Sequence, residues 1–73
     1  MTSYGVVLFH TTSSAIRAEK LLIKEGCQIK LIPTPREFSS DCGIAVRFDW
    51  GEHERVKSVL DAAGVQINTI HQM

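Results

Sequence analysis

Charge of one sign is what this chain most clearly lacks. Eight Lys and Arg are matched by eight Asp and Glu over 73 residues, so no net field steers it to nucleic acid or to an anionic membrane. Apolar runs are short, none nearing the ~18 residues of a membrane span, and Met1-Thr2-Ser3 has neither the basic region nor the apolar stretch of a signal peptide. The expected setting is the cytoplasm. There are only two cysteines. Without a secretory signal they argue against a disulfide framework, and with no C-x-x-C pair they cannot form a thiolate metal site. His10, His53 and His71 have no i, i+4 spacing, so no metal is expected. Aromatics make up 7%, and the aromatic-and-glycine signature of an RNA-recognition strand is absent, while Asp49 would repel phosphate. No repeat, low-complexity tract or linker interrupts the chain. At this length residues 1–73 are expected to form one domain, since a chain of about this size buries only ~60% of its unfolded surface and cannot support two cores.

What is present reads as alternating strands and helices. The run Val6-Val7-Leu8-Phe9 is apolar at both parities and suits a central strand covered or partly covered on both faces. His10 to Ser14 supply possible caps, and Ala15, Ala18, Leu21 and Leu22 recur at helical spacing up to Gly26, which predicts a helix over about residues 14–25. Residues 28–32 alternate into a second strand halted by Pro33 and Pro35. Residues 43–50 form a third, with Ile44, Val46, Phe48 and Trp50 on one face and Ala45, Arg47 and Asp49 on the other. Asp49 stands three residues ahead of Glu52 as a capping pair, and Val56, Val59, Leu60 and Ala63 predict a second helix over about 52–63, closed by Gly64. A last strand over about 65–70 leaves His71-Gln72-Met73 as a frayed tail. The order βαββαβ is the ferredoxin-like arrangement: an α+β sandwich of a four-stranded antiparallel sheet with two helices on one face.

Chemistry is expected where the long connection over residues 33–43 meets the third strand, at Ser39-Ser40-Asp41-Cys42-Gly43. That connection exceeds the usual hairpin length of about 2–5 residues. In this topology it shares an edge with the start of the first helix. The parity of Cys42 aims its sulfur toward Thr11, Thr12, Ser13 and Ser14, whose amides and dipole end favour a thiolate. Asp41 would raise the thiol pKa and Arg36 would offset it. Gly43 gives room, and His10 on the same edge is a candidate proton acceptor. The bland alternative is a small buried hydrophobe at a strand entry. Cys27, just past a helix cap at the other end of the sheet, reads as a packing residue too distant for a Cys27–Cys42 bond.

The segments Pro33-Thr34-Pro35-Arg36 and Ser39-Ser40-Asp41-Cys42-Gly43, with Phe9-His10-Thr11-Thr12-Ser13-Ser14 before them, resemble the selenium/sulfur carrier protein-like family. The resemblance implies a carrier rather than an enzyme, with no cofactor, holding a chalcogen on Cys42 as a persulfide or perselenide. Its partners would be a persulfide- or selenide-donating enzyme and an acceptor protein. A different class of function also fits the residues: a small-molecule-binding or interaction module whose loop edge takes an anion without covalent chemistry, and whose open sheet face, through Ile32, Ile70 and Val7 or Phe9, makes a homodimer. A thiol-dependent enzyme is disfavoured because no acid/base constellation accompanies the cysteine.

Overall fold

A computed structural model describes residues 3–38 and 43–73. It contains β1 (Tyr4–Leu8), α1 (Thr12–Lys24), β2 (Ile29–Pro33), β3 (Ile44–Asp49), a 3-10 turn (Trp50–Glu52), α2 (His53–Ala62) and β4 (Thr69–Gln72). The strands form one antiparallel sheet in the order β2-β3-β1-β4. This is the expected α+β, ferredoxin-like arrangement, with β1 and β3 at the centre and each helix linking two parallel strands that flank a third.

The register sorts side chains into rows. On the helix-covered face, Leu31, Val46, Val7 and Ile70 align across the four strands. Val46, Phe48, Val7 and Phe9 are buried there with Ala15, Ala18 and Leu22 of α1 and Val56 and Leu60 of α2. These helix residues repeat at three- and four-residue spacing, which places each stripe against the sheet. On the opposite face, one row is Ile32, Ala45, Leu8 and Thr69 and the next is Lys30, Arg47, Val6 and His71. Val6, Leu8 and Ala45 are fully buried even though no helix covers them.

That assignment corrects the surface expected to form a homodimer. Val7, Phe9 and Ile70 lie beneath the helices and only Ile32 belongs to the other face. Because β1 is apolar at both parities, its sequence carries no information about which side the helices take.

Both α-helices end in the same way. Gly26 (φ +82°) and Gly64 (φ +70°) occupy the left-handed region that favours glycine. In α1, Gly26 N donates to Ile23 O at 3.0 Å and Cys27 N to Leu22 O at 2.9 Å; in α2, Gly64 N donates to Asp61 O at 3.1 Å and Val65 N to Leu60 O at 3.0 Å. These are paired Schellman motifs, and the residue after each glycine packs back into the core.

Several boundaries move from their expected places. Thr11 has an extended backbone and caps α1, so the helix begins at Thr12 rather than near Ser14. β2 continues through Pro33, which pairs with Ile44; on an edge strand the missing N–H can face outward without breaking the ladder. Asp49 caps the 3-10 turn through Gly51 N at 3.0 Å, but Glu52 makes no side-chain cap and its Oε2 is buried without a hydrogen bond. β4 starts later than expected, at Thr69. Val65 is used by the Schellman contact and Ile67 packs on the core, so pairing begins only after Asn68 N donates to Leu8 O at 2.7 Å. His71 and Gln72 are therefore strand residues and Met73 N still bonds Tyr4 O at 2.8 Å, in place of the expected frayed tail.

Candidate functional site

The β2–β3 connection is pinned at its base, where Thr34 N donates to Gly43 O at 3.1 Å. It then makes a tight turn in which Phe38 N donates to Pro35 O at 3.0 Å, leaving Arg36 and Glu37 exposed at the turn's centre. Pro35, at the start of the turn, has no N–H to donate to a ladder, and the chain leaves the sheet edge there. Phe38 next folds inward across the free face of the sheet. Its ring stacks on His71 of β4 with centroids 4.3 Å apart and planes 9° from parallel, and with Ile32 it packs on Val6, Leu8 and Ala45. Phe38 thus helps to cover the apolar part of the second face. Nothing in the sequence alternation points to Phe38 or His71, because their contact spans the whole width of the sheet.

The start of α1 lies at the same end of the sheet as this loop, since Leu8 pairs with Ala45 and the β1–α1 connection and Gly43 both follow that pair outward. Thr11 Oγ1 accepts from Ser14 N at 3.1 Å and donates to Ser14 Oγ at 3.0 Å. Thr11, Thr12 and Ser13 are exposed, as are Gly43 and Arg36. The expected shared edge is therefore present in the backbone. Ser39, Ser40, Asp41 and Cys42 lie outside the described residues, and so does the aim expected for the Cys42 sulfur.

Cys27 can be placed fully. It is a free thiol, 5% exposed, in the core cluster with Leu22. It holds the position after Gly26 that Val65 holds after Gly64, so its packing role follows from the helix ending itself. Burial pushes its pKa up; Arg55 works against that, while Glu52 and Glu25 add to it. A thiol held neutral in this way is a poor nucleophile at neutral pH, because the thiolate is the reactive form.

Each helix also closes the other. Arg17 of α1 donates to the Ala63 carbonyl at the end of α2 at 3.2 Å, and Arg55 of α2 donates to the Glu25 carbonyl at the end of α1. Cations at helix C-termini satisfy orphan carbonyls and complement the dipole. These two arginines belong to the scaffold.

The architecture defines the class: a small split-βαβ sandwich in which Phe38 of the β2–β3 connection packs on the free face of the sheet. Residues 4–72 match the family model described as Putative Se/S carrier protein-like, and the chain belongs to that family. Comparison with curated proteins gives no match. Comparison with solved structures gives none either. No helix among the described residues is long and apolar enough to cross a membrane.

Proposed function

We propose that this chain carries sulfur or selenium on Cys42 and passes it between proteins without itself catalysing a reaction. The observation that supports this most is the family match over residues 4–72, a span that contains residues 39–43. The placement of Cys27 adds an argument by elimination: of two thiols, that one is packed as a core residue. The Thr34–Gly43 hydrogen bond and the Phe38 stack hold the described residues that flank 39–42 in the sequence, and a firmly held frame suits a group that a partner must reach.

The chemistry balances without an external oxidant. The Cys42 thiolate attacks the outer sulfur of a donor persulfide, a new S–S bond forms as the donor's S–S bond breaks, and the donor cysteine leaves as thiolate. The product is a Cys42 persulfide, and the same exchange in reverse, onto an acceptor thiolate, unloads it. Selenium follows the same course as a perselenide. Arg36 and the amides opening α1 act to stabilise the anion, with Gly43 giving room and Ser39, Ser40 and Asp41 shaping the approach. The donor is an enzyme that itself holds the chalcogen as a persulfide or perselenide and the recipient an acceptor protein, in the reducing cytoplasm where a free thiol persists.

Intact mass spectrometry after incubation with glutathione persulfide tests this. One added sulfur atom is expected on the wild type and on Cys27→Val, and none on Cys42→Ser. An equal gain on Cys42→Ser, or no gain on the wild type, would remove the assignment.

A further inference from the structure

At the end of β3 opposite the loop, a concavity of about 560 Å³ is lined by Tyr4, Gln28, Lys30, Arg47 and Asp49, with Cys27, Ile29 and Phe48 between them. That volume falls in the range of small-ligand sites, about 300–1,000 Å³. Tyr4 pairs with Asp49 and Lys30 with Arg47, so all four share the face that the helices leave free. Lys30 and Arg47 are direct cross-strand partners there. Like charges placed opposite each other on a sheet repel, so the pair gains from an anion between them. Arg47 is held in place by a cation–π contact, its Cζ 4.3 Å from the centroid of the Tyr4 ring. The carboxylate in the lining, Asp49, is committed through Oδ1 to Gly51 N. Tyr4 is 40% exposed, which leaves part of its ring as an apolar surface beside the two cations.

We propose that this concavity binds a small molecule carrying a phosphate or carboxylate on a compact apolar body, the oxyanion bridging Lys30 and Arg47 and the body resting against the open part of the Tyr4 ring. The site lies at the end of β3 remote from Gly43, and its ligand chemistry is independent of the proposed carrier chemistry.

The test is an amide-resolved NMR titration with phenyl phosphate, with inorganic phosphate and phenol as separate arms at constant ionic strength. Saturable shifts confined to residues around Tyr4, Lys30 and Arg47 are expected with phenyl phosphate, weaker ones at the same residues with inorganic phosphate, and weaker still with phenol. Arg47→Gln and Lys30→Gln should each loosen phenyl phosphate by about tenfold, and Asp49→Asn, which keeps a capping oxygen, should tighten it. Lys30 is exposed on an edge strand, so its variant keeps the test valid if Arg47→Gln disturbs the fold. Shifts scattered over the surface, no saturation, or affinity unchanged in Lys30→Gln would overturn the proposal.

Discussion

Phe38 and His71 stack face to face at 4.3 Å although one leaves the edge strand β2 and the other belongs to the opposite edge, β4. The contact draws Phe38 over β3 and β1, where it packs with Ile32 on the buried Val6, Leu8 and Ala45. A ferredoxin-like sheet with helices on one side usually leaves its other side to solvent or a partner; here Phe38, with Ile32, packs against the apolar part of it.

Phe38→Ala should therefore cost about 2 kcal/mol, less than a fully buried phenylalanine because the ring is half-buried. Urea unfolding gives that figure. The same variant should be cut faster by trypsin at Arg36, since the loop loses its anchor. Equal cutting rates in variant and wild type would mean that the stack does not hold the loop.

Cys27 should tolerate valine and resist serine. Val65 fills the matching position after α2, so Cys27→Val is expected to change stability by less than about 1 kcal/mol, whereas Cys27→Ser buries a hydroxyl and should cost about 1–2 kcal/mol. The pH dependence has a definite sign. Burial raises the folded-state pKa, so below the ordinary thiol value of about 8.5 both states are protonated and nothing is lost. Above it the unfolded chain ionises while the folded thiol stays neutral, and stability falls as pH rises toward the folded pKa. The difference between wild type and Cys27→Val, measured by denaturant midpoints, should be flat below about pH 8 and decline above it; a constant difference up to about pH 10 would contradict the burial.

Gly5 is the glycine most sensitive to substitution. A Cβ there would meet Phe48 Cζ at 2.5 Å and Trp50 Cε3 at 2.6 Å, because the two aromatics fold across the strand at that point and Gly5 pairs directly with Phe48. Gly5→Ala should destabilise by about 3 kcal/mol through overpacking. By contrast Gly43→Ala, with nothing among the described residues within 4 Å of the added atom, should be nearly silent in thermal melts. Comparable losses at both positions would sink this account of the packing.

Arg17 and Arg55 provide a paired test of the helix layer. Each exposed guanidinium should contribute about 0.5–1 kcal/mol through its carbonyl on the neighbouring helix. The two contacts share no residue, so Arg17→Ala and Arg55→Ala should add in the double variant. A double-variant loss well below the sum would show that the two ends are coupled.

The fold is legible in the sequence wherever a residue pattern has one interpretation. Val46 and Phe48 against Ala45 and Arg47 alternate cleanly, and Val56 and Leu60 repeat at helical spacing; the structure places all of them on the faces so indicated. Val6 to Phe9 alternate with nothing, and there the face assignment fails. The start of β4 is misread because Val65 and Ile67 are apolar for reasons of core packing and helix ending, and alternation cannot separate those from strand pairing. Cys27 is readable from Gly26 alone, since a glycine that ends a helix commits the next residue to the core. The cross-sheet stack of Phe38 on His71 and the cation pair Lys30–Arg47 depend on register across strands distant in sequence. For the loop, the backbone edge shared with Thr11 and Thr12 follows from topology and is present.

The carrier claim is tested most directly by counting transferable sulfur. Protein loaded with a persulfide donor, desalted and treated with cyanide should release one thiocyanate per chain from the wild type and from Cys27→Val, and none from Cys42→Ser. Release from Cys42→Ser equal to that of the wild type, or no release from any of the three, would contradict it.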